Sequence, residues 1–183
     1  LVVAALIGLN PAAAQESVRI ACVGDSITEG NANPEHLVNS WPLILNRLLE
    51  RDFPGQYQAA NFGRSGATLL RNGSKPIWTQ TVFGPSNEFQ PHIVLINLGT
   101  NDAVTRNWEP HGAEFEGDYR ELIQHYQALD SKPTVWLSNL TPMYSNHPRT
   151  KECIPNRVVI EKTIEKLAVE FDLQIIDFKS PMI

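Results

Sequence analysis

Short apolar runs alternate along the chain with longer stretches of helical periodicity. The runs are typical of strands: Val18–Val23, Tyr57–Ala60, Ile93–Leu98, Thr134–Asn139 and Leu173–Asp177. Between them, apolar residues recur every three or four positions in Trp41–Arg51, Phe115–Leu129 and Asn156–Phe171, with Asn156 as a candidate N-terminal cap. This alternation predicts a single α/β domain with a central parallel sheet of about five strands, joined by right-handed crossovers.

Polar turns that contain glycine follow three of these strands. They are Gly24–Gly30, Asn61–Thr68 and Gly99–Asp102. A parallel sheet places them at one edge, which is where ligands bind in open α/β sheets. Acyl transfer needs a nucleophile and hydrogen-bond donors that face the developing oxyanion. Ser26 is therefore a candidate nucleophile, and glycine N–H groups and an Asn side chain are candidate donors.

The first turn also has a purely structural interpretation. Asp25, Ser26 and Thr28 are all good helix N-caps, and a short Gly-Asp-Ser sequence does not by itself separate a cap from a catalytic serine. Three suitable turns in succession favour the catalytic interpretation.

Ser26, Gly66 and Asn101, in these three turns, make the chain resemble the SGNH, or GDSL-type, hydrolases. The resemblance extends from about Val18 to Asp177. It implies a three-layer, flavodoxin-like fold in which Ser26 is the nucleophile. It also implies an oxyanion hole formed by the Ser26 N–H, the Gly66 N–H and the Asn101 side chain, with no cofactor. Asp25 and Asp102 flank these residues, and we expect both to order the turns by accepting backbone N–H groups.

The fourth block of that family, Asp-x-x-His, occurs nowhere in the 183 residues. None of the histidines is preceded by an Asp at the required spacing: His36, His92, His111, His125 and His147. We therefore expect a hydrolase domain over residues 15–183 that lacks its C-terminal segment. A serine without a general base is a weak nucleophile, so we expect this chain alone to be poorly active or inactive.

The first residues resemble the end of a secretory signal peptide. Leu1–Leu9 is apolar, Asn10-Pro11 interrupts the run, and Ala12-Ala13-Ala14 suits a cleavage site. A buried N-terminal strand is the alternative. The signal interpretation, over residues 1–14, predicts export to the periplasm or the cell exterior. No later stretch is apolar for long enough to anchor the protein in a membrane.

Composition narrows the classes of partner. Hydrophobic residues make up 42% and charged residues 19%, which suits a packed globular domain. The net charge is −5 and no Lys/Arg cluster occurs, which argues against a nucleic-acid partner. No metal-ligand spacing is present. Cys22 is expected in the core of the first strand, so a disulfide to Cys153, in a predicted loop, is disfavoured though open.

Substrate specificity is expected in the loops Leu69–Gln90, Ala103–Gly112 and 140–147. Their aromatic residues, such as Trp78 and Trp108, suit either stacking on a sugar or ordinary loop packing. Within the family, the loops resemble those of exported bacterial carbohydrate O-acetylesterases that act on sialate or xylan, which implies a glycan or small-molecule ester as substrate. A lysophospholipase or thioesterase, and a non-catalytic glycan-binding relative, are the alternatives. The polar character of the chain after Leu70 favours a short acyl group.

Overall fold

The computed structural model describes residues 16–31, 34–143 and 148–180. Its strands form one parallel sheet in the order β2-β1-β3-β4-β5, and the predicted α/β, flavodoxin-like arrangement is confirmed. The strands are β1 (Val18–Gly24), β2 (Tyr57–Gly63), β3 (Ile93–Asn97), β4 (Thr134–Ser138) and β5 (Gln174–Ile176).

Helices cover both faces of the sheet and complete three layers. One face packs against a helix that connects β1 to β2, and the other face, with most of the buried core, packs against the helices that follow β2, β3 and β4. The described helices are α1 (Ser26–Glu29), α2 (His36–Asn39), α3 (Trp41–Asp52), α4 (Phe83–Glu88), α5 (Thr105–His111), α6 (Phe115–Gln127) and α7 (Pro148–Glu170). None of these helices combines the length and apolar composition that a membrane crossing requires.

The last helix differs from its prediction. α7 begins at Pro148, so Asn156 lies inside the helix, and its assignment as an N-terminal cap is wrong. Its side chain instead donates to the carbonyl oxygen of Ala103 at 2.8 Å. Cys153 also lies in α7 rather than in a loop, and both it and Cys22 are buried and free, so they form no disulfide.

Backbone packing at the carboxyl edge of the sheet sets the positions of the polar turns. Gly24 in β1 is in register with Gly63 in β2 on one side and with Asn97 in β3 on the other. A Cβ atom on Gly63 would lie 2.7 Å from the carbonyl carbon of Thr28, and closer still to the Glu29 nitrogen. α1 therefore rests directly on the backbone of β2.

Replacing Gly63 with Ala should destabilise the protein, because the new methyl group meets helix backbone that cannot move aside. We expect the free energy of unfolding to fall by about 1–3 kcal/mol, the usual range for overpacking. Gly117→Ala, in the exposed part of α6 where nothing lies within 4 Å of the added atom, should instead raise it by about 0.5–1 kcal/mol. Urea unfolding followed by circular dichroism measures both. Equal effects of the two substitutions would contradict the packing argument.

Candidate active site

The polar turns meet at the point where the strand order reverses. β1 and β3 are neighbours, yet the chain leaves β1 toward β2 on one side and leaves β3 toward β4 on the other. Ser26 follows β1, Gly66 follows β2, and Asn101 follows β3. Such a switch point opens a crevice outside the carboxyl ends of the strands, and it is the usual ligand site of open α/β sheets.

Ser26 is the first residue of α1 and is half-buried. The cap of this helix is Asp25, whose Oδ1 accepts the N–H of Ile27 at 2.9 Å, and Gly30 closes the helix at a φ of +82°. Within the described part of the chain, the Ser26 hydroxyl and its backbone N–H form no hydrogen bond. Because Asp25 performs the capping, neither Ser26 group is committed to closing the start of the helix.

Gly66 lies in a tight turn from Arg64 to Ala67. The N–H of Ala67 donates to the carbonyl oxygen of Arg64 at 2.9 Å, and Gly66 has a φ of +79°, which is the geometry of a type II turn. The Ser65 N–H donates to Oε2 of Glu29 at 2.7 Å, which ties the turn to the last residue of α1. The Gly66 N–H has no partner among the described residues.

Asn101 connects all three turns. Its Nδ2 lies 2.9 Å from the carbonyl oxygen of Ala67 and 3.3 Å from Oδ2 of Asp25. Asn107 also fixes the backbone of Asn101, because its Nδ2 donates to the Asn101 carbonyl oxygen at 2.7 Å. Both amide hydrogens of Asn101 thus have acceptors in this structure, and the contact with Asp25 is the longer of the two.

Two buried carboxyl groups support the turns. Asp102 accepts the N–H groups of Leu70 at 2.8 Å and Leu69 at 3.1 Å, and so orders the chain that follows Gly66. Burial raises the pKa of Asp102 to about 6. Burial likewise raises the pKa of Asp25 to about 7, with a further rise from Asp102 that the cationic side chain of Arg157 opposes.

Two residues of α7 and α5 hold this region together, and the sequence did not predict this role for either of them. Arg157 is buried and donates through Nη2 to the carbonyl oxygen of Thr141 at 2.5 Å. Asn107 is also buried, and besides contacting Asn101 it accepts the N–H of Ser74. A lone Arg or Asn inside a helix carries no motif, and only burial distinguishes these two.

The aromatic residues of the predicted specificity loops, for which stacking on a sugar and loop packing were both open, are engaged in packing. Trp78 packs on Phe83 and His125, its Nε1 donates to the Leu69 carbonyl oxygen, and the guanidinium of Arg71 lies 3.6 Å from the ring centroid. Trp108 packs on Phe115 in the core. The packing interpretation of these rings therefore holds, and the 103–112 stretch is largely helical rather than a loop.

The histidines with described side chains do not contact Ser26. His92 accepts the backbone N–H of Arg19, His111 contacts Glu114, and His125 contacts Asn87. The His36 side chain and His147 lie outside the described residues, as do the segment 1–14 and the tip of the 140–147 loop. No group of three or more His, Cys, Asp or Glu side chains in the described ranges is arranged to hold a metal ion.

A family model and a curated relative match most of this chain in sequence. The sequence model of the GDSL-like Lipase/Acylhydrolase family matches residues 22–183. A curated acetylxylan esterase of Xylanibacter ruminicola is 28% identical over 193 aligned positions, which cover 94% of this chain and 38% of that protein. The chain thus spans well under half the length of this relative.

Solved structures share the architecture. The psychrotrophic esterase EstA of a Pseudoalteromonas species matches with a TM-score of 0.64 at 15% identity, over 88% of this chain and 78% of that one. The acetyl xylan esterase AlAXEase matches with a TM-score of 0.63 at 18% identity, over 88% and 77%. At such identities these likenesses support the fold alone.

The buried Asp25 carboxyl should make stability depend on pH. Because folding raises its pKa from 3.8 to about 7, the folded state binds a proton that the unfolded state releases, so the free energy of unfolding should fall as the pH rises from about 4 to 7. Asp25→Asn keeps an acceptor for Ile27 but cannot titrate, and should make this slope shallower, leaving the part that Asp102 contributes. Denaturant unfolding at several pH values measures it.

The matched control is Asp52→Asn. Asp52 is exposed and a hydrogen bond from Arg51 lowers its pKa, so above about pH 5 it is ionised in both states and should leave the slope between pH 5 and 7 unchanged. A slope in Asp25→Asn equal to that of the unsubstituted protein would show that Asp25 does not titrate in this range.

Proposed function

The chain belongs to the GDSL-like lipase/acylhydrolase family, and we propose that it provides the nucleophile and oxyanion hole of a serine esterase that removes acetyl groups from carbohydrates. One observation carries the proposal. The uncommitted hydroxyl of Ser26 lies at the switch point of the sheet, beside a turn whose Gly66 N–H is also uncommitted, and Asn101 joins the two turns. A nucleophile and donors from three separate strands meet there, as acyl transfer requires.

The proposed reaction proceeds through an acyl-enzyme. Ser26 Oγ gives up its proton to a base and bonds to the ester carbonyl carbon, while the Ser26 N–H, the Gly66 N–H and the Asn101 amide stabilise the oxyanion. The intermediate then releases the sugar hydroxyl, which takes the proton. Water next attacks the acetyl-Ser26 ester and releases acetate. We assign none of the described histidines as this base, because His92, His111 and His125 each contact another group.

The residues beside the nucleophile support a short acyl group. Leu69 and Leu70, the apolar residues that follow Gly66, are fully buried in the core and leave no leucine surface there for a long chain. The apolar groove lined by Trp41, Leu45 and Trp136 involves α3 and the opposite face of the sheet from Leu69 and Leu70. The acetylxylan esterase relative agrees with an acetylated glycan as the substrate class. A lysophospholipase or thioesterase activity is the second candidate, and binding of an acetylated glycan without turnover is the third.

Export is part of the same proposal. The apolar run Leu1–Leu9 and the small residues that follow it support secretion to the periplasm or the cell exterior. Mass spectrometry of the protein recovered from the secreted fraction, with its first residue near Gln15, would support this assignment.

Hydrolysis by the complete gene product tests the proposal. We expect it to release acetate from acetylated xylan, to prefer p-nitrophenyl acetate over p-nitrophenyl octanoate, and to lose turnover in Ser26→Ala because the acyl-enzyme cannot form. Ser65→Ala, at the neighbouring serine, should remain active. A preference for octanoate would favour the long-chain alternative, whereas binding of acetylated xylan without hydrolysis would favour the glycan-binding one. Retained turnover in Ser26→Ala would remove Ser26 as the nucleophile.

Asn101→Ala tests the side-chain donor. Its loss should lower kcat by roughly 10²–10³, the usual cost of one oxyanion-hole donor, with a much smaller effect on KM. Asn72→Ala, which removes an exposed amide that contacts Glu114, serves as the control. A change in kcat below about threefold would assign Asn101 to holding the turns rather than to the oxyanion.

A further inference from the structure

Lys75 makes an unusual contact with the turn that carries Gly66. Its Nζ donates to the carbonyl oxygen of Ser65 at 2.6 Å, and its Cδ lies 3.4 Å from where a Gly66 Cβ would be. The side chain is half-buried, and within the described ranges its ammonium forms no ion pair with a carboxylate. A cation thus sits on a backbone carbonyl beside the proposed oxyanion hole.

The carbonyl that Lys75 contacts belongs to the same peptide unit as the Gly66 N–H. A hydrogen bond from a charged donor is shorter and stronger than one between neutral groups. Polarisation of a peptide carbonyl also strengthens the N–H at the other end of that peptide as a donor. The contact therefore fixes the plane of the Ser65–Gly66 peptide and increases the partial positive charge on the Gly66 hydrogen.

We propose that Lys75 is a positioning residue of the oxyanion hole, which orients and polarises the Gly66 N–H through the carbonyl oxygen of Ser65. This inference rests on the proposed function, since it assigns Gly66 to the oxyanion. Lys75 does not touch the reacting atoms in this arrangement.

The backbone around Lys75 is built to hold the side chain in this place. The Thr68 N–H donates to the Lys75 carbonyl oxygen at 2.9 Å, and the Ile77 N–H donates to the Thr68 carbonyl oxygen at 2.8 Å. These bonds tie the segment that carries Lys75 to the segment that follows Gly66, and both Thr68 and Ile77 are fully buried. The Lys75 ammonium therefore reaches Ser65 from a backbone segment whose position is fixed.

The opposite side of Ser65 is held by a charge of the other sign. Glu29 accepts the Ser65 N–H at 2.7 Å, whereas Lys75 donates to the Ser65 carbonyl oxygen at 2.6 Å. One residue is thus clamped between a carboxylate and an ammonium, and the next N–H along the chain is that of Gly66. Simple structural bracing does not need an ammonium in place of a neutral donor.

Kinetics of the complete gene product on p-nitrophenyl acetate test this role. Lys75→Met should lower kcat by about 10-fold, less than the loss of a whole donor, and leave KM nearly unchanged, because the interaction strengthens only as the oxyanion forms. Lys75→Arg should retain most of the activity. Lys162→Met removes an exposed lysine of α7 and controls for net charge. A change in KM as large as the fall in kcat, or full activity in Lys75→Met, would overturn the inference.

A second readout does not depend on turnover. In ¹H–¹⁵N spectra the Gly66 amide should shift upfield in Lys75→Met and return toward its original position in Lys75→Arg, because the carbonyl of its own peptide loses and regains a charged donor. If Lys75→Met does not fold, Lys75→Gln takes its place in both experiments. If the unsubstituted protein hydrolyses the ester no faster than Ser26→Ala does, the proposed function is refuted. An unshifted Gly66 amide would refute the role of Lys75 whatever the activity.

Discussion

The contact between α1 and the carboxyl ends of β1 and β2 is the constraint on which the rest of the site depends. At Gly63 the helix backbone comes so close to the strand that no side chain fits, and at Gly24 a Cβ would lie 2.7 Å from the Asn97 carbonyl oxygen. The spacing between the Ser26 turn and the Gly66 turn is therefore set by backbone against backbone. Such spacing does not vary with side-chain rotamers. Glu29, at the far end of α1, then accepts the Ser65 N–H, so the same four-residue helix carries Ser26 and holds the neighbouring turn.

Two buried carboxyl groups also fix the turns that the backbone packing positions. Asp25 caps α1 and lies 3.3 Å from the amide of Asn101, while Asp102 accepts two successive N–H groups in the segment after Gly66. Burial disfavours the charged form of each, and raises both pKa values toward neutrality. These carboxyl groups thus lower stability at neutral pH while they fix the loops. Buried groups with shifted pKa values are common at functional sites.

The sequence predicted the sheet well because β1, β3 and β4 contain apolar runs whose residues are mostly buried. The turns after the first three strands were predictable for a similar reason, since their glycines mark places where backbone must approach closely or adopt a positive φ. The start of α7 was not, because Pro155 and Asn156 in mid-helix resemble a boundary. The roles of Trp78 and Lys75 were hidden as well. Their partners are backbone carbonyls about ten residues away, and such contacts leave no pattern in the sequence.

The three proposed oxyanion donors are not equivalent in this structure. The Ser26 and Gly66 N–H groups have no partners among the described residues, so an arriving oxyanion gains both without displacing anything. The Asn101 amide already contacts Ala67 and Asp25, and it must share or give up one of these contacts. The 3.3 Å contact with Asp25 is the weaker by length, and a protonated Asp25 is a poorer acceptor than the carboxylate. Because the pKa of Asp25 is raised to about 7, both forms are populated near neutral pH, and the availability of the Asn101 amide is coupled to the charge of the residue that caps α1.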